Sequence, residues 1–267
     1  MESSFLPKIG LSALLFVGSA FAAQAQTKIS AGPRLGGNLS TFNTTGSNTG
    51  TASNIFSGQF GAAMDISFGG FSFQPALLYT QKGSELNFTS TQNSSSGGSG
   101  YSYTYSETVT IKATPRINYF EIPLNLVYTA EGSGFQVFAG PYLAFGLGGT
   151  FEYDYKDVST DTQTYGGTTY TSNHNEAQAG KVDVTFDDKY PNPNLLSAPP
   201  TSIPFRKFDM GLNGGVGFRR GPVQVQAGYS MGFNNLIPND SDGKDVGITA
   251  KNRSIQLAAT YLFELSK

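Results

Sequence analysis

The sequence contains no cysteine, which excludes disulfides, zinc–thiolate centres and a lipid-bearing cysteine. It has one histidine, His174, in the polar stretch Ser172-Asn173-His174-Asn175-Glu176, where no rigid strand is expected to position it for metal or acid–base chemistry. Charged residues make up only 13% of the chain and the formal net charge is -2, so there is no basic footprint for nucleic acid. Nor is there an apolar run of the roughly 20 residues that a spanning helix needs. At the N-terminus Lys8 precedes a shorter run, Ile9 to Val17, and small residues lead to Ala23-Gln24-Ala25. This reads as a secretory signal, residues 1–25, followed by one domain, residues 26–267.

What the chain has in quantity is glycine (33), phenylalanine (21) and tyrosine (14), suited to turns and to strands with one apolar face. Alternation with period two, which puts successive side chains on opposite faces of a strand, recurs in eight segments. In the first, Ile29, Ala31, Leu35 and Leu39 oppose Ser30, Arg34 and Asn38. Phe60, Ala62, Met64, Ile66 and Phe68 then oppose Gly61, Asp65 and Ser67, and after Gly69-Gly70, suited to a tight hairpin, Phe71, Phe73, Leu77 and Tyr79 oppose Ser72, Gln74 and Thr80. Phe120, Ile122, Leu124, Leu126 and Tyr128 oppose Glu121 and Asn125, and Glu131-Gly132-Ser133-Gly134 turns the chain into Phe135, Val137, Ala139, Leu143 and Phe145. Phe208, Met210, Leu212, Val216 and Phe218 oppose Asp209, Asn213 and Arg219. Arg220-Gly221-Pro222 leads on to Val223, Val225, Ala227, Tyr229 and Met231. Ile255, Leu257, Ala259, Tyr261 and Phe263 close the series.

A soluble β-sandwich or lipocalin-like barrel also alternates, but would turn its longest apolar faces inward. Phe135 and Phe145, like Phe208 and Phe218, lie ten residues apart on one apolar face. Ten residues at roughly 3.3 Å, tilted about 40°, climb about 25 Å, the height of the apolar band of an outer-membrane barrel. The connections alternate as well: three are short, and the long ones cover Ser40 to Gly58, Gly83 to Pro115, Thr150 to Arg206 and Asn234 to Lys251. The pattern predicts an all-β fold, a transmembrane up-and-down antiparallel barrel of about eight strands in the outer membrane of a Gram-negative cell. Short turns and both termini should be periplasmic and long loops extracellular.

In such a barrel the outward aromatics Phe60, Phe68, Phe71, Tyr79, Phe120, Tyr128, Phe135, Phe145, Phe208, Phe218, Tyr261 and Phe263 form the girdles at the membrane interfaces. A barrel of this size is filled by its inward side chains. These include Arg34, Asp65, Glu121 and Asp209, and Arg34 is expected to pair with one or more of the three acids, because an unpaired buried charge is costly. A gated ion path and a stabilising network are both compatible with that set. In the loops, Tyr101, Tyr103, Tyr105, Tyr153 and Tyr155 sit in alternating stretches that read as hairpins above the membrane, either to meet a partner or to hold the hairpins together. Ser94 to Gly100 reads as a loop tip. Asn239 to Asp245 is acidic, but Pro238 and Thr249 occupy the first and twelfth positions of a calcium-loop register, so a polar turn is expected.

Several stretches resemble the PorT-like outer-membrane β-barrel family, abundant in the Bacteroidetes and allied to small barrels such as OmpA and OmpX. They are Gly32-Pro33-Arg34-Leu35-Gly36-Gly37-Asn38-Leu39-Ser40, Tyr119-Phe120-Glu121-Ile122-Pro123-Leu124, Ala139-Gly140-Pro141-Tyr142, Phe208-Asp209-Met210-Gly211 with Gly215-Val216-Gly217, and Lys251-Asn252-Arg253 before the last strand. The resemblance implies a porin-type barrel inserted by the barrel-assembly machinery, and one named member of the family assists secretion. The expectation is therefore a monomeric, non-enzymatic barrel embedded in outer-membrane lipid, with no catalytic, metal or cofactor residues. Its loops would mediate adhesion or contact an extracellular protein or glycan. A transport or secretion role and a rim enzyme are the alternatives.

Overall fold

The computed structural model describes residues 27–46, 50–190 and 201–266. The signal peptide expected over 1–25 lies outside them. The described residues contain no helix and thirteen strands: β1 (Lys28–Thr45), β2 (Thr51–Ser53), β3 (Ile55–Phe68), β4 (Phe71–Gly83), β5 (Glu85–Gly98), β6 (Tyr101–Thr129), β7 (Phe135–Tyr165), β8 (Thr168–Phe186), β9 (Ser202–Phe205), β10 (Phe208–Arg220), β11 (Val223–Gly232), β12 (Thr249–Tyr261) and β13 (Phe263–Ser266). Eight of them close a ring of antiparallel pairs, β1–β3–β4–β6–β7–β10–β11–β12 and back to β1. Closure removes every sheet edge from the ring, so no strand of it presents a free edge to lipid. β13 continues β12 along β1, with Ala31 opposite Phe263.

Residues 69–70, 130–134 and 221–222 make the short turns, all at the end of the ring that also holds β13 and the start of β1. Gly69 and Gly221 take φ of 65° and 59°, conformations that an L side chain resists. The pleat sorts the side chains as the alternation requires: Leu35, Phe60, Leu77, Phe120, Phe145 and Leu257 lie outside, while Arg34, Gln59, Leu78, Glu121, Ala144 and Gln256 turn in.

Following opposed residues around the ring measures its stagger. From Leu35 the row passes through Phe60, Tyr79, Phe120 and Phe145 to Phe208 on β10. In the other direction it passes through Ala259 and Val225 to Phe218 on the same strand. The row therefore spirals, gaining ten residues per circuit, and Phe218 pairs onward with Phe135. Ten residues of about 3.3 Å set against eight strands about 4.8 Å apart give a tilt of about 40° and a rise of about 3 Å per strand. The ten-residue spacing of Phe135 to Phe145 and of Phe208 to Phe218 is thus the stagger of the barrel itself.

At the other end the strands run on well beyond the ring. β6 and β7 stay paired as far as Tyr101 opposite Tyr165, β5 flanks β6 and β8 flanks β7. The two hairpins expected above the membrane are one four-stranded sheet, β5–β6–β7–β8. From Pro115 to Tyr101 it spans about 45 Å of strand at roughly 3.3 Å per residue. The loop boundaries contract accordingly: Ser94 to Gly98 belong to β5 and only residues 99–100 form the tip, while His174, expected in a loop, lies in β8 opposite Ser159. Backbone pairing with neighbouring strands extends these hairpins, a long-range effect that their weak apolar pattern does not announce.

Candidate functional site

The barrel interior is polar and self-paired. Arg34, Asp65, Glu121 and Asp209 are all buried inside it. Toward the short turns, Arg219 donates to Asp65 at 2.5 Å, and Ser67 and Gln74 each donate to the same carboxylate at 2.7 Å. Gln224 donates to Gln74 at 3.0 Å and to Gln136 at 2.8 Å, and Arg34 donates to Gln226 Oε1 at 2.7 Å. Arg34 forms no ion pair with a carboxylate among the described residues, which corrects the expected pairing. Other cations hold two of the three acids: Arg219 holds Asp65, and Lys82 holds Glu121 at 2.5 Å.

Lys82 and Glu121 are each only 1% exposed. The ammonium also lies 4.3 Å from the centroid of the Tyr142 ring, whose negative face favours a cation. The Tyr142 hydroxyl donates to Asp209 Oδ2 at 2.9 Å, and Asn252 donates to the same oxygen at 2.8 Å. Three cations, Arg34, Lys82 and Arg219, thus face three carboxylates in the lumen. A cavity of about 10 Å³ bordered by Arg34, Asn125 and Asn213 offers room for one water.

Above this network an apolar cap closes the outer mouth. Phe42, Ile117, Tyr119, Tyr142, Val184, Phe205, Leu236 and Ala250 pack together, with Phe151, Phe186, Ile203 and Ile237 against them. Leu236 N donates to Ala250 O at 2.9 Å and Arg206 N donates to Leu236 O at 2.8 Å, which ties β9 and the chain after β11 across the mouth. Gly146 is a packing requirement here, since a Cβ would come within 2.3 Å of the Phe186 ring.

Comparison with known families settles what this architecture is. The model of the outer membrane protein beta-barrel domain matches residues 23–238. The chain belongs to that family. No curated protein matches it. Among solved structures it is similar to Ail, the attachment invasion locus protein of Yersinia pestis. That match has 10% identity and a TM-score of 0.32, covering 89% of this chain and 99% of that one. It is also similar to Neisserial surface protein A, NspA, with 10% identity and a TM-score of 0.29, covering 87% of this chain and 99% of that one. This outer-membrane barrel, then, has a filled lumen, a capped mouth and a sheet standing above it.

The girdle candidates point outward, and the spiral gives each a height. Phe68, Phe71, Tyr128, Phe135, Phe218, Tyr261 and Phe263 fall within about 9 Å of one another near the short turns, by the rise per strand and per residue. At the outer end the row climbs from Phe60 to Phe208, which puts Phe60 about 9 Å below Phe145. Phe56, four residues further up β3 and 71% exposed, stands level with Phe145. It was hidden within a presumed loop. Ring contacts join Phe60 to Tyr79 (5.1 Å), Phe71 to Tyr128 (5.1 Å), Phe145 to Phe208 (5.3 Å) and Tyr261 to Phe263 (4.7 Å).

On the protruding sheet, the register places Tyr101, Tyr103, Tyr105, Tyr153 and Tyr155 on one face, joined by Tyr165 and Tyr170. A bulge where Asn118 opposes Gly148 but Tyr119 opposes Gly146 shifts the parity of β7 and makes this face continuous with the lumen side. The Tyr103 phenol is pushed above its ordinary range, first by burial and then by the hydrogen bond and charge of Asp161. The other face is a ladder of threonines, with Thr91 and Thr108 at 3.3 Å and Thr164 and Thr169 at 3.0 Å.

Lys82, Tyr119, Tyr142 and Asn252 were missed as site residues. Extending the period of two from Ser72 through Thr80 puts Lys82 inside, the last inward position before the connection that begins at Gly83. Tyr119 and Tyr142 were legible only as inward positions, because their polar partners come from other strands.

Proposed function

We propose that this barrel is a non-enzymatic surface protein whose protruding sheet contacts partners outside the cell. The observation that carries the proposal is the four-stranded sheet β5–β8, which rises from a closed, filled ring and displays seven tyrosines on one face. Tyrosine offers a large amphipathic contact area at a low cost in side-chain entropy. Binding residues concentrate where a rigid scaffold holds them above a surface, as the paired β6 and β7 do here. Within the family, the quoted strand motifs favour a PorT-like member, monomeric in the outer membrane after signal cleavage. A secretion role rests on that resemblance alone.

The test is a variant lacking residues 88–111 and 155–178, which shortens both hairpins in register. Cells carrying it should still show a heat-modifiable barrel but lose retention on immobilised extracellular protein or glycan. Retention equal to the full chain would overturn the proposal. Loss of protein secretion with retention intact would transfer it to the secretion reading.

A further inference from the structure

The tyrosine face of the protruding sheet carries Glu107 on β6, Asp157 and Asp161 on β7 and Glu176 on β8, and no lysine or arginine. Two of the sheet's lysines, Lys112 and Lys181, are on the threonine face and are held there by Glu85 and Glu152 at 3.0 Å each. Among the described residues the four acids of the tyrosine face form no ion pair with a lysine or arginine; Glu176 meets only His174, at 3.7 Å. The acids are contiguous. Asp157 lies directly opposite Glu176, and Glu107 opposes Ser159, diagonal to both Asp157 and Asp161. Like charges directly across a strand pair destabilise a sheet, so this arrangement costs the free protein stability. Asp157 Oδ2 accepts from the Tyr155 hydroxyl at 3.3 Å, while its Oδ1 is buried with no hydrogen-bond partner among the described residues.

At the foot of the same face is an apolar pocket of about 280 Å³, walled by Phe42, Leu86, Phe151, Tyr190, Phe205 and Ile237. Phe151 and Leu86 belong to the tyrosine face through the strand register, so the charged surface runs into the pocket without a break. The volume suits one aromatic or branched aliphatic side chain, the kind of group that anchors an interface.

We infer that the tyrosine face binds a cationic polypeptide segment, with its arginines or lysines along Glu107, Asp157, Asp161 and Glu176 and one apolar side chain in the pocket. The inference rests on the partner-binding reading above and names the chemistry of the partner. Tyrosine rings beside carboxylates favour guanidinium groups, which stack on the ring while pairing with the acid. A cationic segment also relieves the Asp157–Glu176 repulsion that the free sheet bears.

The experiment uses the full barrel in lipid nanodiscs and a fluorescein-labelled peptide of alternating arginine and glycine with one central phenylalanine, followed by anisotropy. The peptide should bind saturably and more weakly as salt rises. Glu107→Gln, Asp157→Asn and Asp161→Asn together should weaken it by about tenfold or more. Replacing the peptide's phenylalanine by alanine, or filling the pocket with Ile237→Trp, should each weaken binding at constant charge. Equal affinity for the neutralised barrel, or preference for a glutamate peptide of the same length, would overturn the inference. The neutralised variant should remain heat-modifiable and no less stable, because it removes a repulsion. In the cell-retention assay, loss on trimming the sheet with no loss on neutralisation would leave the partner-binding reading standing and refute this one. Retention that survives trimming refutes the reading beneath it.

Discussion

Leu35 and Leu39 offer a direct test of how the barrel sits in the membrane. Both are on β1 with the side chain outward, 64% and 44% exposed. Leu35 is four strands along the spiral from Phe135 and four from Phe145, which puts it about 12 Å from either belt at about 3 Å per strand. It therefore lies at the midplane of the apolar band. Leu39 is four residues further along the strand, about 10 Å higher at a 40° tilt, and within about 3 Å of the level of Phe145. Arginine on the lipid face costs about 2–4 kcal/mol at the midplane and about 0–1 kcal/mol near an interface. Leu35→Arg should thus lose about 2–4 kcal/mol and Leu39→Arg no more than about 1 kcal/mol. Because the chain has no tryptophan, reversible urea unfolding in lipid vesicles is best followed by far-ultraviolet circular dichroism, with heat-modifiable mobility on gels as a second readout. Equal losses at the two sites, or a larger loss at Leu39, would refute the stagger and the position assigned to the membrane.

Within the lumen, Lys82→Met strands Glu121 in a buried site and should cost about 3–5 kcal/mol in the same unfolding assay, whereas Lys82→Met with Glu121→Leu should recover most of it. At an effective dielectric near 20 the two charges at 2.5 Å attract by about 7 kcal/mol, which the desolvation of both ions largely offsets. No loss in the single variant would mean the pair does not exist. Phe205→Ala removes a ring from the cap and should expose the chain around Arg206 and Lys207 to trypsin while the barrel remains heat-modifiable; unchanged cleavage would show that the cap is not held by packing. The mature protein should begin at Gln26, which mass spectrometry of the outer-membrane fraction would confirm or contradict.

The barrel was legible in the sequence because the period of two is local. Each strand states which side chains face lipid, and Arg34, Asp65, Glu121 and Asp209 could be assigned inward with no knowledge of their neighbours. The short turns were legible for the same reason, since Gly69 and Gly221 answer a conformational need within a few residues. The partners inside the lumen were not. Arg34 meets Gln226, while Arg219 and Lys82, arriving on other strands, hold Asp65 and Glu121, a matter of register among eight strands that no single segment specifies.

The protruding sheet shows the same division. Its tyrosines were visible as alternating residues, but their gathering on one face with four acids depends on the pairing of β6 with β7 and on a bulge that resets the parity of β7. The sequence by itself determined which residues face lipid and which face the lumen, because alternation is a property of one strand. Only the tertiary structure decided the ten-residue stagger, the capped mouth and the acidic face, because each arises from how separate strands are set against one another.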